Sequence, residues 1–307
     1  MDEKHLKIIS NNLSIKPGQI SNTIKLLAEG ATIPFISRYR KEVTGSLDEV
    51  QIKAVRDLLN KIQEIDKRRK SIIKSIDDQG KLTRELREKL GDANSLTELE
   101  DLYLPYKPKR KTRASEAREK GLEPLAKIIF EQRETHILQR AKEFLNKKVP
   151  AVEDALQGAC DIIAEWINES KKARDAVRRL FYTEAKITSK VDKSKVKDAV
   201  KYKDYFDYTE PLEKCVSHRL LAMRRGENEG FLKLTVRPEE DKAIEALTRL
   251  FVNPSSNTSE YVMMSVKDSY KRLLGPSIEN EFRAASKVNA DKEAIKVFAD
   301  NLRQLLM

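Results

Sequence analysis

One apolar stripe constrains the first third of the sequence. Between Leu47 and Ile76, apolar side chains recur at steps of three and four residues, the spacing of one face of an α-helix. Ser46, followed three residues later by Glu49, predicts a capping box at the start, and Gly80 predicts the end. The stripe therefore predicts a helix roughly 50 Å long, which makes this part of the chain helical.

Most of the remaining sequence has the same period. Two segments, 185–191 and 230–237, instead alternate between apolar and polar residues and predict a minor β element. Two helices with a tight turn across 151–182 fit a helix-turn-helix unit, and Gly275-Pro276 is predicted to stop a helix. With only 10 glycines and 6% aromatic residues, a β-sandwich is disfavoured. We predict a mostly α fold, a multi-helical array with a helix-turn-helix unit and a minor β element.

Prolines at 105 and 108 break the helical pattern and suggest a boundary between domains. We predict an N-terminal helical region at 1–104, a helix-turn-helix-like region at 105–200, and a central helical region with a short strand at 201–307.

Charge gives the first indication of a partner. The chain of 307 residues has a net charge of +11, and 36% of its residues are charged. A basic surface favours polyanions, most often nucleic acid, although surplus lysines on a solvated surface would give the same total.

The first candidate binding segment is 103–113, YLPYKPKRKTR. Two prolines keep it out of a helix, and the two tyrosines could stack on bases. The alternative is an interdomain linker whose charge is incidental. Five basic residues and no acidic one lie within 105–113, and we predict that they contact phosphates: Lys107, Lys109, Arg110, Lys111 and Arg113.

The second candidate segment is 171–203, where twelve basic and four acidic residues leave a net charge of +8. Such a local concentration is typical of an electrostatic footprint on nucleic acid. The alternative is a basic face that docks on acidic helices of the same protein. The candidate contact residues here are Arg178, Arg179, Lys186 and Lys190. A third, weaker candidate is Arg38, Arg40 and Lys41, where an intramolecular ion pair is an equal alternative.

No catalytic or metal-binding pattern is visible in the sequence. Ser217 and His218 are adjacent on a predicted helix, where their side chains point apart, so we interpret His218 as structural. Cys160 and Cys215 lie far apart in apolar patterns and are predicted to be buried free thiols. We expect no enzyme activity, no metal and no cofactor. Without a signal sequence or a long apolar run, we also expect a cytoplasmic protein that does not contact membranes.

Three longer strings occur in a fixed order along the chain. They are ATIPFISRYRKEVTGSLDEVQ at 31–51, LEDLYLPYKPKRKTRASEAREKGLEPLA at 99–126 and KYKDYFDYTEPLEKCVSHRLLAMRRGENE at 201–229. Together they make the chain similar to the N-terminal and central region of the bacterial Tex family of transcription accessory proteins. The resemblance also implies a helix-turn-helix unit across 151–182. It also leads us to expect a longer protein whose RNase H-like, helix-hairpin-helix and S1 RNA-binding domains follow this sequence.

These observations predict a non-catalytic, nucleic-acid-associated part of a transcription accessory factor. We expect it to contact RNA or DNA phosphates weakly and without sequence specificity, because phosphate contacts carry no sequence information. The resemblance adds the transcription machinery and the C-terminal domains of the same protein as partners. The alternative is a purely structural scaffold that docks those domains or a transcription partner.

Overall fold

The structure, a computed structural model, describes residues 3–108 and 111–306. These residues form two compact units, which the described parts 3–108 and 111–306 represent. The mostly α fold with a minor β element is confirmed. The three-region division stays a prediction. Within the described residues, no helix is both long enough and apolar enough to cross a membrane.

The described part of the first unit has seven α-helices, which a 3₁₀ turn at Leu104–Tyr106 follows. The helices are α1 (Glu3–Leu13), α2 (Pro17–Ala28), α3 (Ile33–Tyr39), α4 (Lys41–Thr44), α5 (Glu49–Asp77), α6 (Arg84–Asp92) and α7 (Leu96–Tyr103).

Helix α5 is the predicted long helix, and it contributes to two small cores. Its first half buries Ile52 and Val55 against α1, α2 and α3. Its second half buries Ile72 and Ile76 against α6 and α7. Each fully buried isoleucine contributes roughly 1.5–3 kcal/mol, so this one apolar stripe holds the short helices in place.

The predicted cap of α5 is wrong by two residues. Gly45 and Ser46 both have left-handed φ values of 64°, so Ser46 cannot begin a helix. Asp48 is the N-cap instead. Its carboxylate accepts a hydrogen bond from the Gln51 backbone N–H at 2.7 Å, and the Gln51 side chain accepts one from the Asp48 N–H.

The second unit contains nine α-helices and three strands in its described part. Its helices are α8 (Arg113–Glu119), α9 (Glu123–Glu131), α10 (Ile137–Lys142), α11 (Val152–Glu169), α12 (Lys171–Glu184), α13 (Ser217–Asn228), α14 (Glu240–Phe251), α15 (Ser259–Asp268) and α16 (Gly275–Leu306). Its strands are β1 (Lys186–Val191), β2 (Asp207–Pro211) and β3 (Leu232–Arg237).

Helix α11 is the centre of this unit. It buries residues on nearly every side, including Ile162, Ile163 and Ile167, and α8, α9 and α15 pack around it. Such all-round burial is typical of a central core helix. The same core continues through Phe181 of α12 to Val236 of β3 and fixes the sheet against the helices.

The three strands form one antiparallel sheet in the order β2-β1-β3. Strands β1 and β3 correspond to the two predicted segments. Strand β2 was not predicted, because DYTEP has no apolar alternation and ends in proline. The β1 side chains of Ile187 and Ser189 face the core, while Lys186 and Lys190 point to the opposite, exposed face.

The free edge of β3 is covered by side chains of α13 and α16. Glu279 accepts a hydrogen bond from the Val236 N–H at 2.8 Å, and Arg283 donates one to the Leu234 carbonyl at 2.6 Å. Arg283 also donates twice to Glu227 at 2.6 Å. These charged groups take the place of a fourth strand and protect the edge from pairing with another chain.

The predicted helix stop at Gly275-Pro276 is wrong. A π-helical turn, Ser269–Leu274, joins α15 to α16, and Pro276 lies in the first turn of α16. Proline lacks a backbone N–H, and the wider π turn changes the hydrogen-bond register just before it. Burial of Tyr270, Leu274 and Ile278 favours continuation of the helix.

Candidate nucleic-acid interface

The first candidate segment is only partly described. Lys107 is exposed after the 3₁₀ turn, and Arg113 is exposed at the start of α8. Lys111 lies 3.5 Å from Glu116 in an exposed ion pair. Lys109 and Arg110 lie outside the described residues. The three described cations are thus accessible, and an exposed pair such as that of Lys111 is weak enough for a phosphate to displace the carboxylate.

The two tyrosines of this segment pack in the first unit to different extents. Tyr103 is buried in the second core of the first unit, and its hydroxyl lies 2.9 Å from Ser75 Oγ. The Arg68 guanidinium lies over its ring at 5.6 Å. Tyr106 packs against the same core. Tyr103 is therefore not available for stacking on a base, and Tyr106 is only partly accessible.

In the second candidate segment, α12 divides its arginines between two environments. Arg174 is only 4% exposed and donates to Glu281 of α16 at 2.6 Å. Arg178 donates to the same carboxylate at 2.8 Å. Arg179, the next residue, is exposed. Arg174 and Arg178 therefore hold α12 to α16, and only Arg179 presents its charge to solvent.

Lys186, at the start of β1, forms an ion pair with Glu239 at 3.0 Å. The hydrogen bond from Lys186 is the largest cause of a lowered pKa at Glu239, so the carboxylate stays charged at neutral pH. Lys242 lies 3.9 Å from the same Glu239 carboxylate. It bonds Glu184 at 2.7 Å, and this bond raises the pKa of Lys242. The two pairs link β1 and α12 to the start of α14, and the pair with Glu239 partly satisfies the Lys186 charge.

Lys190 lies in a different arrangement, on the outer face of the sheet. This exposed sheet face consists of three cross-strand rows of side chains. Lys190 stands between Lys233 of β3 and Asp207 of β2, and Lys186 stands between Arg237 and Pro211. The middle row is formed by Thr209, Thr188 and Thr235, where the Thr209 hydroxyl donates to Thr188 at 3.2 Å.

Lys190 and Lys233 are the unusual pair of this face. Directly opposed residues of an antiparallel sheet have Cβ atoms about 5 Å apart, and like charges at that spacing destabilise the sheet. Both lysines are exposed, and neither has a carboxylate within ion-pair distance among the described residues. The exposed sheet face therefore has a local excess of positive charge, which an anion would relieve.

The loop after β1 adds further exposed cations to the same unit. Lys193 and Lys197 are exposed. Lys195 donates to the Gly230 carbonyl at 3.0 Å, and Lys201 pairs with Glu229 at 2.5 Å. These two contacts fasten the loop to the end of α13 and leave Lys193 and Lys197 accessible.

Sequence reasoning did not identify Lys233 as a site residue. It lies in GFLKLTVR, outside both basic segments, and its own neighbours in the sequence are apolar. Only the register of β3 against β1 places it opposite Lys190. The available signal was the alternation in this strand, which puts Lys233 and Thr235 on the solvent side.

The interpretation of His218 as structural stays a prediction, and the structure does not bury this side chain. His218 is exposed and lines a cavity of about 650 Å³ between α13 and α16. Ser217 donates a hydrogen bond to Glu293 instead of contacting the imidazole. Among the described residues no cluster of three or more His, Cys, Asp or Glu side chains could hold a metal ion.

Both cysteines are free thiols, as predicted, but only Cys160 is buried and Cys215 is half-buried. Burial is the main cause that raises the pKa of Cys160 to about 11 and that of Cys215 to about 12. Neither thiol is a nucleophile at neutral pH, because the thiolate is the reactive form.

Comparison with known proteins identifies related sequences. The family described as Tex-like protein N-terminal domain matches residues 3–77, and the Tex central region-like family matches residues 132–298. The chain is 40% identical to the Bacillus subtilis protein YdcI over 304 residues, which are 97% of this chain and 42% of YdcI. It is 37% identical to the transcriptional accessory protein Tex of Neisseria gonorrhoeae over 98% of this chain and 41% of that protein.

A eukaryotic relative is more distant. The human S1 RNA-binding domain-containing protein 1 is 31% identical over 98% of this chain and 32% of its own length. The chain thus spans about two fifths of the bacterial relatives and about a third of the human one.

Proposed function

Because this chain belongs to the Tex family, we propose that it is a non-catalytic, nucleic-acid-associated part of a transcription accessory factor. The name of the gonococcal relative supports the role in transcription, and the name of the human relative supports RNA as a partner. RNA or DNA and the transcription machinery are the proposed partners.

One observation carries this proposal: Lys190 and Lys233 oppose each other on the exposed sheet face without a described acidic partner. A phosphate between two such lysines removes their mutual repulsion and releases bound counterions. Arg179, Lys193 and Lys197 add exposed cations in the same unit. Neighbouring Asp207 reduces the local charge, which fits weak binding.

Binding of this kind has no sequence specificity. Lysines contact phosphates as point charges, and threonine hydroxyls at the middle of the face can bond phosphate or sugar oxygens of any sequence. We place the helix-turn-helix unit at α11 and α12, which only Ser170 separates. Because α11 is buried and Arg178 of α12 bonds Glu281, we regard this unit as a packing element rather than a reader of bases.

The alternative function, a structural scaffold, also has support. Arg174 and Arg178 converge on Glu281, and Lys242 bonds Glu184. Arg174 and Arg178 belong to the second candidate segment, and Lys242 bonds Glu184 of the same segment. All three contacts hold helices together. In this alternative the chain supports other domains or a transcription partner, and its remaining exposed cations do not bind nucleic acid.

We further propose that the protein is cytoplasmic and not an enzyme. Two free thiols fit a reducing compartment. The raised pKa values of both thiols, about 11 and about 12, argue against cysteine catalysis. Among the described residues no nucleophilic side chain bonds the exposed His218, and the adjacent Ser217 donates to Glu293.

The test is the binding of a fluorescent single-stranded RNA by anisotropy at several salt concentrations. We expect the double variant Lys190→Glu, Lys233→Glu to bind less tightly and to lose about 1.4 from the slope of log affinity against log salt, which is two phosphate contacts on a single strand. The matched control is Lys127→Glu, Lys267→Glu, which changes the charge equally at exposed lysines of α9 and α15. Equal affinities and slopes for the two double variants would refute the proposed interface and favour the scaffold.

A further inference from the structure

The first unit has an exposed aromatic and basic surface on α3. Residues Phe35, Arg38 and Tyr39 are spaced at i, i+3 and i+4, so they share one helix face. Ser37, on the opposite face, is buried and bonds Glu49 of α5, and Ile36 beside it is fully buried in the core with α5. Arg40 and Lys41 follow directly and are exposed. We call these five residues the α3 patch: Phe35, Arg38, Tyr39, Arg40 and Lys41.

The aromatic rings of the α3 patch are unusually accessible. Tyr39 is 64% exposed and Phe35 is 41% exposed. Their ring centroids lie 5.5 Å apart with the planes tilted by 42°, so the two rings form one aromatic surface. Exposure of adjacent aromatic rings leaves apolar area in water, which a bound planar group would cover.

The cations of the patch are weakly held by their own neighbours. The Arg40 guanidinium lies over the Phe35 ring at 5.1 Å from its centroid and donates to the Tyr39 carbonyl at 3.0 Å. Arg38 is 70% exposed, and its nearest carboxylate, Glu49, is 3.9 Å away. That separation exceeds a hydrogen bond, so an incoming anion can replace the carboxylate at little cost.

We propose that the α3 patch binds single-stranded nucleic acid, with a base stacked on Tyr39 and phosphates beside Arg38 and Arg40. The combination of ring and guanidinium decides the class of ligand. Unpaired bases offer planar faces that stack on aromatic side chains, and the neighbouring phosphates supply negative charge within reach of the arginines. In a duplex the base faces are covered by one another, so a duplex can use only the cations.

An acidic polypeptide is the competing partner, since it too would be attracted to the arginines. It does not provide a planar face for each ring, and Glu42 and Glu49 at the border of the patch would repel its carboxylates as strongly as they repel phosphates. Dependence of binding on the Tyr39 ring therefore distinguishes single-stranded nucleic acid from an acidic polypeptide in an experiment.

The proposal deepens the proposed function, on which it rests for the class of ligand, but it concerns a separate surface in the other unit. The two surfaces make different predictions. Binding by the exposed sheet face depends on phosphates alone, whereas binding by the α3 patch depends on bases as well. A probe that lacks bases can therefore distinguish them.

The experiment measures anisotropy of labelled oligouridylate and of an abasic oligonucleotide of equal length. We expect Tyr39→Leu to bind oligouridylate at least about fivefold more weakly and the abasic chain unchanged, because one stacked base is lost. The matched control Tyr39→Phe keeps the ring and should bind as the unchanged chain does. Arg38→Gln should weaken binding of both probes.

The variants are repeated in the Lys190→Glu, Lys233→Glu chain. A persistent effect of Tyr39→Leu there supports the α3 patch even if the sheet face proves inactive, and circular dichroism checks that the fold is retained. Equal oligouridylate affinity for Tyr39→Leu and Tyr39→Phe would overturn the inference. So would polyglutamate that binds the chain with the same dependence on Tyr39, because the patch would then be a peptide-binding surface.

Discussion

Removal of the Glu279 carboxylate tests how the edge of the sheet is held. The side chain is 9% exposed, its Oε1 accepts the Val236 N–H at 2.8 Å, and its Oε2 accepts Arg237 Nε at 2.6 Å. Glu279→Ala deletes both charge-assisted bonds and leaves the Val236 N–H of an edge strand without its acceptor.

The expected loss can be worked out from these contacts. A hydrogen bond to a charged group contributes about 1.5–3 kcal/mol, and an orphaned buried N–H costs about 1–3 kcal/mol. Arg237 is 37% exposed and regains water, which lowers the cost of its lost partner. We therefore expect Glu279→Ala to reduce the free energy of unfolding by about 3–4 kcal/mol and Glu279→Gln, which still offers an acceptor to Val236, by about 1–2 kcal/mol.

The assay uses the single tryptophan of the chain, Trp166 of α11, which reports on the second unit alone. Urea unfolding followed by its fluorescence avoids mixing the signals of two units that can unfold separately. The control is Glu245→Gln, which removes one member of an exposed pair with Arg249 and should change stability by less than about 0.5 kcal/mol.

Equal losses of unfolding free energy for Glu279→Ala and Glu245→Gln would show that the Glu279 carboxylate does not hold the edge of β3. In that case the edge of β3 would be satisfied by water rather than by the carboxylate. A reduced m-value would point instead to a change in the surface exposed on unfolding and would require a separate measurement of compactness.

Three further predictions follow from burial in the second unit. Arg178→Glu should lower the free energy of unfolding by about 1–3 kcal/mol, because the new carboxylate would repel Glu281, which Arg178 now bonds. Arg179→Glu, at an exposed position, should change it by less than about 0.5 kcal/mol in the same urea assay. Gly226→Ala should cost about 1–3 kcal/mol, since a Cβ there would lie 2.6 Å from a buried leucine methyl group, and a rise in thermal midpoint would contradict this. The raised pKa values of Cys160 and Cys215 predict very slow reaction with a disulfide reagent at pH 8 and rapid reaction of both thiols in urea; fast reaction of the folded chain would show that burial does not protect them.

The helical architecture was predictable because its signals are local. The apolar stripe of α5 has the helical period over its whole length, and Thr83 and Ser95, residue types that favour the N-cap, cap α6 and α7. The error at Ser46 arose where two left-handed residues precede the helix, and the sequence pattern cannot distinguish that turn from a cap. At Gly275 the local stop signal was outweighed by burial of side chains on both sides of it.

The candidate site was less predictable because it depends on contacts between distant residues. Glu281 bonds Arg174 and Arg178 across more than a hundred residues, and no local pattern indicates which cations it will neutralise. Lys233 meets Lys190 only through strand register. Charge counted along the sequence therefore located the basic region, while its division into paired and exposed cations required the fold.

The separation of paired arginines from exposed lysines makes nucleic-acid binding and a scaffold role compatible in the second unit. Arg174 and Arg178 are shielded by α16, so salt screens their pairing with Glu281 only slightly. Lys190 and Lys233 face water, where salt competes directly with a phosphate. A rise in salt from 50 to 200 mM should therefore weaken RNA binding strongly and leave the unfolding midpoint in urea nearly unchanged. Parallel decreases in both would mean that the same cations serve both roles, which the separate positions of Glu281 and the exposed sheet face argue against.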